Sequence, residues 1–344
     1  MKKTGFYLCI AMLSVYSTLC AQTNSTEYKV STNIHLQGTG GWDYLTIDET
    51  TGRLYISHGK VVNVVDTKTN QLVGTIDKTP GVHGIAIASD LNKGFISCGR
   101  NDTIVVFDLK TLATLASIGI TGKNPDAIMY DKFSGKVFVY NGRSSDATVI
   151  DAKTNTVVGT IPLDGKPEYS VSDGNGKIFV NIEDKSLIVQ INAITLAVEQ
   201  KWSIAPGEEP SGLALDNETH RLFSVCSNKM MVVVNALDGK VITTLPIGDG
   251  CDGVMFDPIK KRAYSSNGEG TITVVQEEIG DKYSVVETIK TQAGARTITI
   301  DKSTHRLYLP TAEYGVAPEA TKENPRPRKP IIPDTFVVIE VSPL

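Results

Sequence analysis

Residues 124–161 read NPDAIMYDKFSGKVFVYNGRSSDATVIDAKTNTVVGTI. Four short runs, 127–130, 137–140, 147–151 and 157–161, are rich in Val, Ile and aromatic residues. Asp, Asn, Gly and Ser bound each run, which is the pattern of strands joined by tight turns. Four strands in one meander cannot bury both faces of their sheet, so this segment needs copies of itself.

The copies are present. Aligned on the turn between the first and second strands, they are YLTIDETTGRLYIS from Tyr44, GIAIASDLNKGFIS from Gly84, AIMYDKFSGKVFVY from Ala127, YSVSDGNGKIFV from Tyr169, GLALDNETHRLFSV from Gly212, GVMFDPIKKRAYSS from Gly253 and TITIDKSTHRLYLP from Thr297. Their starts lie 40 to 44 residues apart, the period of a propeller blade. Period-2 alternation with four strands per repeat predicts an all-β fold, a seven-bladed β-propeller. The seventh copy has a third strand at 336–340 and no fourth. The segment EYKVSTNIHL at 27–36 matches the fourth-strand pattern, so the N-terminal strand is expected to complete the last blade. Blade 6 carries an insertion, QEEIGDKYS, and blade 7 a longer one at 311–335 with five prolines, which reads as loop.

Residues 1–21 have two lysines, an apolar run and a small-residue end at Ala21, the signature of a secretory signal with cleavage after Ala21. Residues 22–344 then form one propeller domain, periplasmic or secreted, with no transmembrane anchor. Net charge is −4, so no global basic field draws nucleic acid. Three cysteines lie beyond the signal, Cys98, Cys226 and Cys251, an odd count that makes no disulfide framework. Cys226 and Cys251 are the one pair that neighbouring blades bring near each other.

Positions that vary at one repeat address are where function can sit. The address before the first strand holds Asp43, His83, Asp126, Glu168, Ser211, Asp252 and Arg296. The address ending the second strand holds His58, Cys98, Asn141, Asn181, Cys226, Asn267 and Thr311, with Arg100, Arg143 and Glu313 close behind. In a propeller both addresses open onto one mouth of the central channel. The expected ligand site is therefore Asp43, His58, His83, Arg100, Asp126, Asn141, Arg143, Glu168, Asn181, Asp252, Asn267, Arg296 and Glu313. No organic cofactor motif is present; carboxylates with neutral imidazole can hold a divalent metal. There is no nucleophile elbow, zinc-protease helix or phosphate loop.

The units GIAIASDLNKGFIS, ATVIDAKTNTVVGTI and GWDYLTIDETTGRLYISHGKVVNVVD resemble the YncE-like, YVTN-repeat seven-bladed propellers, over nearly all of 27–340. The signal and the polar mouth make an exported binding or scaffold protein for a small molecule or a cell-envelope protein, acting as a monomer, the expected function, and the resemblance implies the propeller fold. It also implies two alternatives: a metal-dependent, lactonase-like hydrolase or lyase at the same mouth, or single-stranded DNA binding. The acidic balance argues against the last.

Overall fold

A computed structural model describes residues 27–322, 325, 327 and 329–344. The expected signal at 1–21 lies outside the described residues. Seven antiparallel sheets of four strands follow one another. The segment 124–161 forms the third, with strands Pro125–Asp131, Lys136–Asn141, Asp146–Asp151 and Thr156–Pro162. The innermost strands touch in a circle that closes between Thr299–Asp301 of blade 7 and Leu45–Asp48 of blade 1.

Both faces of each sheet are covered by the neighbouring blades, so apolar residues run continuously through the second and third strands. The described core divides into seven clusters, one at each blade interface. Between blades 1 and 2, for example, Tyr55 and Val64 pack against Ile85 and Phe107. Area removed from water is the main stabilising term, at roughly 25 cal/mol per Å² of apolar surface.

Closure is as expected. Tyr28–His35 pairs antiparallel with Val337–Pro343 as the outer strand of blade 7. Tyr28 is fully buried, and its hydroxyl lies 2.9 Å from that of Tyr264 in blade 6. Glu27 forms a two-point ion pair with Arg262, also in blade 6. The terminal strand therefore bonds within its own sheet and also clamps the blade beside it.

The blade 6 insertion is no loop. It lengthens the outer hairpin, Thr271–Glu278 and Lys282–Lys290, which pair as far as Glu278 and Lys282. The blade 7 insertion starts as a strap whose ends are tied by a Tyr314–Ile331 bridge and by the bond from Ile332 N to Glu313 O, 2.9 Å. Arg326 and Arg328 of this strap lie outside the described residues. No described helix is long and apolar enough to cross a membrane.

Candidate functional site

In blades 2 to 6 the address before the first strand lies inside it, at a β-bulge, whereas Asp43 and Arg296 precede the strands Leu45–Asp48 and Thr299–Asp301. In blade 2, Val82 faces Cys98 and Ile85 faces Ile96, so His83 and Gly84 together oppose Ser97. The same shift frees Asp126 in blade 3, Glu168 in blade 4, Ser211 in blade 5 and Asp252 in blade 6. A bulge takes one residue out of the ladder and re-aims its side chain. Neighbouring blades then fix the backbone. Ser97 Oγ donates to Asp126 O, Asn181 Nδ2 to Ser211 O at 3.0 Å, and Thr297 Oγ1 to Asp43 O at 2.6 Å.

These side chains meet in an alternating chain of charge. Arg296 Nε donates to Asp252 Oδ2 at 2.6 Å, and its Nη2 lies 3.4 Å from Asp43 Oδ1. His83 Nδ1 lies 2.7 Å from Asp43 Oδ2 and 3.5 Å from Asp126 Oδ1. The alternation stops at Asp126. The next blade supplies Glu168, whose partner is Lys166 Nζ at 2.7 Å; Lys166 also pairs with Glu183. Asp126 and Glu168 thus sit on adjacent blades without a cation bonded to both, and Asp126 Oδ1 accepts no hydrogen bond among the described residues.

The electrostatics follow. Burial, and then the Asp43 charge, push the Asp126 carboxyl up to about 7. Burial, and then Asp126, push Glu168 up to about 8 in spite of Lys166. Asp252 is also raised, by burial against the opposing pull of Arg296. Burial pulls His83 down, but its bond to Asp43 and the charges of Asp126 and Asp43 outweigh it, bringing the imidazole to about 8. Carboxylates gathered in a poorly solvated place hold protons well above their ordinary range.

Tyr44 and Tyr169 form the floor, with ring centroids 5.6 Å apart. Burial, then the carboxylates above it, hold the Tyr44 phenol well above its usual range. Neither tyrosine was among the expected residues, yet the repeats carry the signal. The residue after the mouth address is Tyr44, Gly84, Ala127, Tyr169, Gly212, Gly253 and Thr297, two bulky rings among small residues. Lys166 was missed because it stands two residues ahead of the aligned address, in GKPE.

The second address does not join the mouth. Asn141, Asn181 and Asn267 are fully buried and spend their amides on their own or the adjacent blade: Asn141 on Asp146 and Thr148, Asn181 on Ser211 and Gly212, Asn267 on Thr271 and Thr273. His58 is buried too, stacked on Phe336 at 4.0 Å and bonded to Asn63, and burial lowers its pKa. Arg100, Arg143 and Glu313 are exposed on the rim, outside the charge chain. The cysteines are free and buried, their thiols pushed up to about 12 by burial. Cys251 Sγ does reach Cys226, donating to its carbonyl at 3.1 Å.

Three of the mouth residues have metal-binding character. Asp43, His83 and Asp126 each offer one ligand atom, all within 4.8 Å of one another. The donor set, two carboxylates and an imidazole, fits a divalent cation.

The fold is that of a seven-bladed β-propeller, and solved structures agree. The chain superposes with a TM-score of 0.74 at 9% identity on a chain of the crystal structure of the Mitotic Checkpoint Complex, covering 100% of this chain and 99% of that one. The structure of U3-55K gives 0.73 at 11% identity, covering 93% and 99%. The RRP9 WD40 repeats give 0.74 at 11% identity, covering 93% and 98%. At such identities the likeness concerns fold alone. No protein-family model matches the chain. A relative in sequence is Antigen Lp49 of Leptospira interrogans serogroup Icterohaemorrhagiae serovar copenhageni (strain Fiocruz L1-130), 25% identical over 195 residues. That match spans 51% of this chain and 40% of the antigen.

Proposed function

We propose that the protein is an exported, YVTN-repeat-type propeller that binds a small cationic or hydrogen-bond-donating ligand at the channel mouth. One observation carries the reading: the charge chain alternates from Asp252 to Asp126 and then presents Asp126 beside Glu168, with Asp126 Oδ1 lacking a donor. An ammonium, a guanidinium or a metal ion lying between these two carboxylates completes the alternation. Loops and bulges on a rigid scaffold are where binding side chains concentrate. The N-terminal signal-like segment supports export, as does the word antigen in the name of the relative.

The test is a thermal-shift panel of primary amines, polyamines, guanidinium compounds and Ca²⁺, Mn²⁺ and Zn²⁺, on the wild type and on Asp126→Asn. The expected result is a saturable upward shift with one class of cation, absent in Asp126→Asn. No shift with any cation, or a shift that Asp126→Asn retains, sinks the reading.

A second reading rests on the Asp43, His83 and Asp126 trio. A divalent metal held there would supply Lewis-acid polarisation or an activated water to a hydrolase or lyase. It would have to take His83 Nδ1 away from Asp43. Metal analysis of purified protein separates the readings: stoichiometric metal favours the enzyme, and a metal-free protein that no metal stabilises counts against it.

A further inference from the structure

Beyond the mouth lies a second cavity of about 540 Å³, under the base of the blade 7 strap. Gly41, Trp42, Arg296, Tyr314, Lys329 and Ile331 line it. Two features set it apart from the mouth. Its charged groups, Arg296 and Lys329, are cations, and no carboxylate lines it. Its walls carry two aromatic rings, Trp42 and Tyr314, with centroids 6.0 Å apart and tilted by 47°.

Trp42 is 7% exposed, held in the wall rather than free in solvent. The polar side-chain groups that line the cavity, the guanidinium, the ammonium and the Tyr314 hydroxyl, can all donate; none is an obligate acceptor. The chain holds this arrangement in place. Tyr314 is seated over Gly294, whose φ is +88°, and a Cβ there would come 2.7 Å from the Tyr314 ring. Trp42 is held on its other side by Phe336, at 5.5 Å between centroids.

We propose that this cavity is an anion subsite that takes an aromatic carboxylate, the ring against Trp42 and Tyr314 and the carboxylate accepting from Arg296 and Lys329. The subsite goes beyond the cation site at the mouth and does not depend on it, although Arg296 borders both. A ligand spanning the two would carry its carboxylate under the strap and its positive charge between Asp126 and Glu168.

The chain has two tryptophans, so Trp202→Phe makes Trp42 the single emission reporter. Trp202 packs on Phe179 in the outer strand of blade 4, away from the strap. Phenylacetate titrated into this variant should change Trp42 emission saturably. Lys329→Met, an exposed position that no core packing depends on, should weaken the midpoint about ten-fold, the size of one charge-assisted hydrogen bond. Phenethylamine and inorganic phosphate should leave the emission unchanged. An unresponsive Trp42, a midpoint unaffected by Lys329→Met, or an equal response to phenethylamine or phosphate would each overturn the assignment. Asp126→Asn should leave this titration intact, which makes failure here distinguishable from failure of the mouth site.

Discussion

Acidic residues recur at two repeat addresses, one at each end of the first strand, and the two sets behave in opposite ways. At the turn end, Asp48, Asp131, Asp216, Asp257 and Asp301 accept backbone N–H bonds from residues two or three further on, at 2.8–3.1 Å. Asp48, Asp216 and Asp301 are buried, which alone would raise them, yet their hydrogen bonds hold all three below the usual carboxylate range. At the mouth end no backbone N–H among the described residues bonds the carboxylate of Asp126 or Glu168, and the two rise to about 7 and about 8. Residue type is shared; the supply of donors differs. A carboxylate with its own turn to bond is scaffold, whereas one aimed by a bulge at other carboxylates is available to a ligand.

The scaffold should break hardest. Deleting residues 27–36 leaves Val337–Pro343 as a bare edge, and the melting temperature should fall by ~10 °C or more, with aggregation. An unchanged melting curve would refute the closure. Next comes Asp216→Ala, which removes the acceptor of Glu218 N, Thr219 and Lys261 in a side chain 1% exposed. Breaking a buried pair from one side should cost about 3 kcal/mol in denaturant unfolding.

The mouth should respond with divided signs. Asp252→Asn removes the charge that accepts from Arg296 Nε, leaving the guanidinium with only the longer contact to Asp43, and should destabilise by about 1 kcal/mol. Asp126→Asn removes the poorly compensated charge and should stabilise the ligand-free protein by a similar amount. If both variants lose stability, the mouth carboxylates are structural and the contrast fails.

The smallest effect is the shape of the pH profile, and it assigns one arm to each address. Asp48, Asp216 and Asp301 have lowered folded-state pKa values, so their stabilisation is complete above about pH 4 and is lost as the pH falls further. Asp126 and Glu168 are raised to about 7 and 8, so they bind more protons folded than unfolded, and stability declines from about pH 4 up to 8. His83, raised to about 8, contributes stability that is full below its unfolded value near 6.5 and is lost as the pH rises through 8. Equilibrium unfolding should therefore be most favourable to the fold near pH 5 and decline by pH 9, with a flatter alkaline arm in Asp126→Asn. A profile whose alkaline arm Asp126→Asn leaves unaltered would remove Asp126 from the account.

The architecture was legible because each repeat states its own strands and turns, and because 27–36 so plainly matched a missing strand. Asp43, His83, Asp126, Glu168, Asp252 and Arg296 were legible as a converging set from their shared address. The bulge that aims His83, Asp126, Glu168 and Asp252 was not, since it is set by pairing across strands. Asn141, Asn181 and Asn267 were misplaced for a related reason. They end strands and precede loops, which suggests exposure, but both faces of a blade are covered by its neighbours. Asn141 shares a face with Val139 and Val137 and is buried with them. The cavity under the strap depends on where Tyr314 and Lys329 come to rest beside Trp42, a contact between distant segments that no local pattern encodes.

The outer strand of blade 7 has a consequence for how the chain is made. Ser31 bonds to Glu340, 309 residues further on. The segment synthesised early must wait, unpaired, until nearly the whole polypeptide has emerged. Six blades can form in sequence while the seventh remains open, so ring closure is a terminal event in biosynthesis. Until then the circle is an arc with two unsatisfied ends.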